Sequence, residues 1–500
     1  MKRIALIKIV FKNKLAFALI AILAVFSPQC EKPLEENPTS LLTNKVFYQT
    51  PNDALLAVNA AYDHLGSGSN NSDFGGVYFN NYWAVQALAS DNGNSGRPEP
   101  NAVQLAEFRH DASNLMVQDI WEDIYRTINL ANLAIANIPG IEMDESLKSR
   151  FLGEVHFIRG LMYFELVRMF GDVPLLTVPT EDLSILTISR TPVEEVYAQL
   201  ISDLQMAEAT LPVRYSGADI GRATTGAASG YLARVHLTRE EWSLAQQQAE
   251  KVMALGVYRL LPDFADVFKI ANNNSDEVVF ATNFTLNNDA IWETSQFNVR
   301  ALPLALNRNS NSWEVPTLDV YNIFDDLDRR KEVTFATSFT ESDGTVLEFP
   351  PHIFKYWDQQ AEPSASSGGN DFFNLRYSDI LLMYAEASNE SNGGPSAEAY
   401  EAINRVRRRA RFAEGEERNT LPDLSGLDQA GFREQVWLER RKEFVWEGQR
   451  WFDLVRQERL KTRVEAAKSG ISVDENKYKL FGIPQRERDI NPNLSQNPGY

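Results

Sequence analysis

One aromatic and amide-rich segment holds the residue types that could bind a sugar. Aromatic rings stack on the apolar face of a sugar, and Asp and Asn side chains bond its hydroxyls. The candidate contacts are Tyr78, Asn81, Tyr82, Trp83, Asp91 and Asn92, with Trp292 and Trp313 as a second aromatic wall. For a single residue the alternative is a core role, since Trp83, Ala84, Ala87 and Leu88 also follow one helical face. As a whole, the segment favours glycan binding.

Motifs that would indicate catalysis or metal binding are absent from the sequence. None of the five histidines has a second His or a Cys at metal-ligand spacing, and the sequence contains no HExxH, GxGxxG or GxSxG. A glycosidase needs two carboxylates that flank its substrate, and no local pattern singles out such a pair. We therefore predict no catalytic residues, no metal site and no cofactor.

The densest charge cluster runs from Glu439 to Arg456 and is threaded by aromatic residues. Arginine beside aromatic rings could suggest nucleic acid, but carboxylates and cations alternate here, which argues against a polyanion as the ligand. We interpret this cluster as structural ion pairs on a half-buried helix.

The N-terminus has the order of a secretory signal, which we assign to residues 1–29. Five cationic residues precede the apolar run from Leu15 to Phe26, whose 12 residues are too few to span a membrane. Cys30, the only cysteine, follows directly and is the predicted lipidation site. Simple secretion is the alternative, because Gln29 stands where lipoprotein signals usually have a small residue.

The remainder of the chain is acidic. The first 29 residues carry five of the 49 Lys and Arg and none of the 68 Asp and Glu, so residues 30–500 have a formal net charge of −24. This charge disfavours nucleic acid and anionic lipid as ligands. It fits a neutral ligand.

Helical periodicity dominates, which predicts an all-α (mainly helical) protein with helical hairpins and long loop excursions. A helix apolar almost all round is predicted at 149–170, and Thr191 is predicted to cap the next helix in a capping box with Glu194. Small residues on facing sides predict two helical hairpins, one at 224–255 and the other at 377–411. We divide the chain into a signal at 1–29 and two parts, 30–240 and 241–500, of one continuous body.

Seven segments in order resemble the SusD/RagB family of nutrient-binding outer-membrane lipoproteins. They are WEDIYRTINLANLAIANI from Trp121, GEVHFIRGLMYFELVRMFGDVPLL from Gly153, GRATTGAASGYLARVHL from Gly221, LRYSDILLMYAEA from Leu375, AINRVRRRA from Ala402, ERRKEFVWEGQRWFDLVR from Glu439 and IPQRERDINPNLSQNPGY from Ile483.

This resemblance implies a SusD-like fold with tetratricopeptide-like hairpins, anchored by lipid in the outer membrane and exposed at the cell surface. It also implies a partner, a SusC-like TonB-dependent transporter to which an oligosaccharide is delivered, and no catalysis. Ligand contacts in the family come from variable loops, one of which follows the motif that Trp83 to Asp91 match. The alternatives are peptide or other non-sugar cargo on the same scaffold, a protein-binding helical adaptor, and a glycosidase.

Overall fold

Amphipathic and buried helices build most of the chain. A computed structural model describes residues 47–66, 75–180, 185, 187–286, 294–306, 310–357 and 368–500. Residues 48–500 form a single compact unit. Cys30 and Trp292 lie outside the described residues.

The helices follow one another through the whole described chain. In order they are α1 Pro51–Gly66, α2 Asn81–Leu88, α3 Pro100–Ala106, α4 Leu115–Asn137, α5 Glu145–Phe170, α6 Val193–Thr210, α7 Thr225–Thr238, α8 Trp242–Ala254, α9 Phe264–Val267, α10 Phe297–Ala301, α11 Leu318–Asn322, α12 Arg329–Thr334, α13 Tyr377–Asn392, α14 Ala397–Arg411, α15 Gln429–Glu443, α16 Arg450–Arg456, α17 Leu460–Ala467, α18 Glu475–Tyr478 and α19 Gln485–Ile490.

The strands are short and pair two by two. They are β1 Gly93–Ser95, β2 Val278–Thr282, β3 Glu314–Pro316, β4 Phe335–Thr340, β5 Val346–Ile353, β6 Phe372–Arg376, β7 Phe412–Ala413 and β8 Glu416–Glu417. Among the described residues the antiparallel pairs are β1 with β3, β2 with β6, β4 with β5, and β7 with β8. The mainly helical fold is therefore as predicted.

Both predicted hairpins form. Helix α7 packs on α8, and α13 packs on α14. In α7, a Cβ at Gly226 would lie 2.5 Å from the Tyr258 hydroxyl, and one at Gly230 would lie 2.5 Å from Leu375. The two glycines therefore let Tyr258 and Leu375 pack closely against α7. Thr224 caps α7 by accepting a hydrogen bond from the Ala227 amide. The segment that contains Gly221 therefore leads directly into helix α7.

Helix α5 lies in the core, as its continuous apolar sequence predicts. From Phe157 to Phe170 every side chain is buried. The helix ends at Gly171, whose φ of +72° suits glycine. Its buried charges are paired, as in the contact from Arg159 Nη2 to Asp203 Oδ1 at 2.7 Å. His156 Nδ1 also lies 2.8 Å from Asp203 Oδ1, so this histidine has a structural role.

The predicted capping box at α6 is wrong. Thr191 forms a β-bridge with Val173 and does not cap the helix. Asp172 replaces it, since its Oδ1 accepts a hydrogen bond from the Val193 amide at 2.8 Å. The β-bridge with Val173 therefore keeps Thr191 from capping the helix, although the local sequence favours a cap there.

No helix in the described part of the chain combines the length and apolar character that crossing a bilayer requires.

Candidate functional site

The predicted aromatic contacts Tyr78, Tyr82 and Trp83 are core residues, which corrects their assignment as ligand contacts. Each is at most 1% exposed. Tyr78 and Tyr82 both donate hydrogen bonds from their hydroxyls to Glu165 of α5. Trp83 packs on Phe297, with ring centroids 4.8 Å apart. The alternative interpretation of Trp83, one apolar face of a helix, is the one that the structure supports.

Asp91 and Asn92 are also buried, and their assignment as ligand contacts is corrected as well. Arg450 Nε donates to Asp91 Oδ1 at 2.7 Å, and Arg441 Nε donates to Asn92 Oδ1 at 2.9 Å. Burial alone would raise the pKa of Asp91, but Arg450 and Arg441 hold it well below its ordinary value. These two side chains fix the chain where α2 gives way to β1.

Two predicted contacts, Asn81 and Trp313, are half-buried. Asn81 donates to Asp119 Oδ2 at 2.9 Å, at the start of α2. Trp313 lies directly before β3. The β1–β3 pair therefore brings the loop that follows Asn92 beside Trp313, with Asn94 opposite Val315.

The backbone of Trp313 is held on both sides. Its amide donates to the Arg300 carbonyl at 2.7 Å, and its carbonyl accepts from the Gly96 amide at 3.0 Å. The Arg300 guanidinium carbon lies 4.6 Å from the Trp313 ring centroid and 5.5 Å from that of buried Trp83. Because Arg300 is itself ion-paired to Glu314, the Trp313 ring rests on an ordered support.

A hydrogen bond between polar side chains joins the two loops that meet at Trp313. Arg97 Nη1 donates to Asn311 Oδ1 at 2.6 Å, which joins the two loops across 214 positions of sequence. A Cβ at Gly96 would lie 2.1 Å from the Ser312 carbonyl oxygen, so only glycine allows this approach. We call the half-buried set Asn94, Arg97, Asn311 and Trp313 the Trp313 face.

A group of half-buried aromatic residues lies on and after the β4–β5 hairpin, and we call it the hairpin aromatics. Phe349 stacks on Phe354 at 5.7 Å, Phe354 meets Trp357 at 5.2 Å, and Phe339 meets Trp357 at 4.7 Å. His352 ties this hairpin to the Trp313 face by a 3.1 Å contact from Nε2 to Ser312 Oγ. Burial lowers the pKa of His352 below its ordinary value, so the ring is neutral at neutral pH.

Sequence reasoning identified the loops but missed most of the residues in them. Arg97 and Asn311 lie within polar loop regions that the composition indicates, yet neither stands out by type. The hairpin aromatics could have been found from Phe339 and Phe349, which lie in segments where residue types alternate as they do in a β-strand.

The Glu439–Arg456 cluster is an ion-pair network, as predicted, but it is buried and spans the end of α15, a turn and α16, so its assignment to one half-buried helix is wrong. Arg330 Nη1 lies 2.6 Å from Glu439 Oε1, and Arg376 Nη1 lies 3.0 Å from Glu443 Oε1, all four side chains being buried. Within the described ranges no group of three His, Cys, Asp or Glu side chains could hold a metal ion.

A separate open cavity of about 460 Å³ contains none of the predicted residues. It is lined in part by Asn59, Tyr62, Gly221, Arg222 and Asn283. Arg222 is fully engaged there by Asp219, Glu154 and Asn59. Because it is open and of sufficient volume, the cavity is an alternative location for a ligand.

Comparison with known proteins identifies the family. The model described as the SusD family matches residues 245–500, and one described as "Starch-binding associating with outer membrane" matches residues 59–237. The SusD-like protein P2 of Formosa agariphila is 32% identical, over 93% of this chain and 96% of its own. A SusD-like protein P25 of the same organism is 30% identical, over 89% of this chain and 90% of its own.

A solved structure shows the same fold. A SusD superfamily protein from Parabacteroides distasonis is 26% identical and matches with a TM-score of 0.76, over 92% of this chain and 100% of its own. The chain belongs to the SusD family, as the resemblance of its segments indicated. The family is associated with the outer membrane by the description of its model.

Proposed function

We propose that this protein captures a glycan at the cell surface and that the Trp313 face makes the contact. The observation that carries this proposal is the β1–β3 junction, where the loop with Arg97 meets the loop that holds Asn311 and the half-buried Trp313. Its ring can stack on the apolar face of a sugar. The guanidinium and the amide can then bond the hydroxyls.

The family supports glycan as the class of ligand. The model that matches residues 59–237 carries a starch-binding description. A formal net charge of −24 over residues 30–500 also suits a ligand without the polyanionic character of nucleic acid. In the proposal the protein binds and does not cleave, since no catalytic constellation is apparent in its sequence.

Delivery and anchoring complete the proposal. Cys30 carries a lipid that holds the protein on the outer membrane, and a SusC-like TonB-dependent transporter receives the glycan. The sequence support is the order of basic residues, apolar run and lone cysteine at the N-terminus. Replacement of Cys30 by Ser is expected to release the protein from the membrane fraction, and unchanged membrane retention would contradict the anchor.

Affinity electrophoresis tests ligand class and location together. The chain from Glu31 onwards is run through gels that contain plant, microbial or host polysaccharides. We expect one polysaccharide to slow the protein, and Trp313→Ala to restore its mobility. Trp242→Ala is the matched control, because Trp242 is also half-buried and lies at the start of α8.

Other outcomes separate the alternatives. If Asn283→Ala relieves the retardation and Trp313→Ala does not, the ligand lies in the 460 Å³ cavity. Release of new reducing ends from the polysaccharide would contradict the non-enzymatic proposal. If no polysaccharide slows the protein, glycan capture fails and peptide cargo becomes the leading alternative.

A further inference from the structure

A cavity of about 290 Å³ adjoins the buried Asp91. Arg441, Arg450 and Arg463 line it, and all three form ion pairs with Asp91. Arg459, Gln457 and Trp437 are also part of its lining. It shares no lining residue with the Trp313 face. In so acidic a protein, such a concentration of arginine is expected to be balanced by nearby carboxylates.

The three arginines share too few carboxylates. Asp91 and Asp319 are their acidic partners, with Arg441 Nη2 2.6 Å and Arg463 Nη2 3.1 Å from Asp319 Oδ2. Three guanidinium groups thus face two carboxylates, which leaves one positive charge in excess. The fourth cavity arginine, Arg459, is balanced by Glu434, which also lines the cavity.

Each of the three arginines also has hydrogen-bonding capacity to spare. Their Nε and Nη2 groups donate to Asp91, Asn92 or Asp319. None of their Nη1 groups has a hydrogen-bond acceptor among the residues that the structure describes. Burial lowers the pKa of Arg441 below its ordinary value even though Asp91 lies beside it, which agrees with incomplete charge compensation.

Gln457 gives an independent sign of a missing partner. Its side chain is 8% exposed and lines the same cavity, and within the described chain its Nε2 group is buried without a hydrogen-bond partner. Buried amide donors are nearly always satisfied, so an orphaned one at a cavity wall indicates an absent acceptor.

We propose that this cavity binds a small oxyanion, namely a sulfate, phosphate or carboxylate group, either free or carried by an acidic glycan. The Nη1 groups of Arg441, Arg450 and Arg463 and the Nε2 group of Gln457 supply its donors. Planar guanidinium groups suit oxyanions in geometry as well as charge. A bound oxyanion offsets the excess positive charge and accepts the hydrogen bonds that the chain leaves open.

Arg441 also contacts the chain that leads to the Trp313 face. Its Nη2 donates to the Asp91 carbonyl at 3.3 Å and its Nε donates to Asn92, immediately before β1. Because these bonds form without an anion, the start of β1 is fixed in either state. Anion binding here is therefore independent of whether a glycan binds the Trp313 face.

Thermal unfolding and titration calorimetry with sodium sulfate and sodium phosphate test this site on the purified protein. Ionic strength is held constant with sodium chloride. We expect a saturable rise in Tm, because an anion that binds only the folded state stabilises it. Arg463→Gln and Gln457→Leu are each expected to weaken anion affinity at least about tenfold.

Arg408→Gln is the matched control. Arg408 is 38% exposed and ion-paired to Glu401 and Asp423, much as Arg463 is 34% exposed and ion-paired to Asp91 and Asp319. The control variant is expected to bind sulfate as the unaltered protein does. An equal Tm response in Arg408→Gln, Arg463→Gln and Gln457→Leu would show a general salt effect and overturn the proposal.

Gln457→Glu guards against a folding defect in Arg463→Gln. It places a carboxylate of the same shape beside the three arginines, where it substitutes for the anion. The variant is expected to have a Tm at least equal to that of the unaltered protein and to lose its response to sulfate. A sulfate response that persists undiminished would overturn the proposal.

A sulfated oligosaccharide and its desulfated form distinguish the two sources of the anion. If free sulfate and phosphate are inert but the sulfated form binds and Arg463→Gln weakens it, the oxyanion is carried by a glycan. If neither form nor either free anion binds, the anion site is refuted. Retardation by a neutral polysaccharide is unaffected by Arg463→Gln in every case, so failure of this site and failure of glycan capture are distinguishable.

Discussion

The Glu439–Arg456 network and the Trp313 face both combine arginine with aromatic residues, but the hydrogen-bond partners of the arginines differ. In the network, Arg376 is buried and meets Glu277, Glu443 and Glu447. On the face, Arg97 is half-buried, and its side chain donates to the neutral Asn311. Arg376 is therefore fixed within the scaffold by carboxylates. We propose that Arg97, whose partner is an amide, is available to a ligand.

The sharpest contrast lies within one stretch of sequence. Trp83 and Asp91 are fixed in the core, whereas Asn94 and Arg97, only a few residues later, reach the surface. The stretch thus changes from buried to half-buried at β1, where our proposal places the ligand contact. Each prediction below tests one side of this division, beginning with the largest effect.

Removal of Asp91 is expected to destabilise the protein most. Asp91→Ala leaves Arg441 and Arg450 buried with one carboxylate fewer, so the free energy of unfolding should fall by about 3–5 kcal/mol. Urea unfolding measures it. Asp423→Ala, which breaks an exposed pair with Arg408, is the control and should cost less than about 1 kcal/mol. Similar losses in the two variants would refute the distinction between buried and exposed pairs.

Trp83→Ala is expected to cost about 3–5 kcal/mol, since it empties a fully buried site against Phe297. Trp313→Ala removes a ring that is only half-buried and should cost clearly less. Both values come from the same urea titrations. A Trp313→Ala variant as unstable as Trp83→Ala would make Trp313 a core residue and weaken its proposed role.

Gly96→Ala is expected to cost about 1–3 kcal/mol, because the new Cβ collides with the Ser312 carbonyl and separates β1 from β3. Glycan affinity should fall together with stability. The control is Gly394→Ala, where a Cβ meets no atom within 4 Å. If Gly96→Ala retains full affinity, the β1–β3 junction does not shape the site.

The smallest effect is a pH dependence from Lys468. Its Nζ donates to the Leu88 carbonyl at 2.8 Å and the Ala106 carbonyl at 3.1 Å, at the ends of α2 and α3. Burial lowers its pKa to about 7, below the value of about 10.4 in the unfolded chain. Between these values the unfolded state binds more protons, so stability rises as pH increases through this window.

Comparison with Lys468→Met isolates that contribution. From pH 7 to pH 9 the free energy of unfolding should rise by about 1–2 kcal/mol more in the unaltered protein than in the variant. Urea titrations at each pH give the difference. Parallel pH profiles would show that Lys468 keeps the same charge in both states.

Local patterns predicted the helices well, because periodicity and caps act within a few turns. Helices α5, α7, α8, α13 and α14 lie where the sequence pattern placed them. Thr191 failed since its partner, Val173, comes from another part of the chain.

The site could be predicted only as loops. Whether Trp83 faces solvent depends on Phe297 and Arg300, more than 200 positions away, and no local pattern encodes that contact. The Arg97–Asn311 hydrogen bond is equally remote in sequence. Aromatic and amide composition therefore indicated a region, and tertiary packing decided which of its residues reach the surface.

The most direct test of this account uses an oligosaccharide that the unaltered protein binds. Its affinity for two tryptophan variants is measured by calorimetric titration. Trp83→Phe keeps an aromatic ring in the core, and Trp313→Ala removes the half-buried ring from the Trp313 face. We predict unchanged affinity for Trp83→Phe and at least a tenfold loss for Trp313→Ala, consistent with about 1.4 kcal/mol or more from ring stacking. Loss of affinity in Trp83→Phe with full affinity in Trp313→Ala would contradict the account.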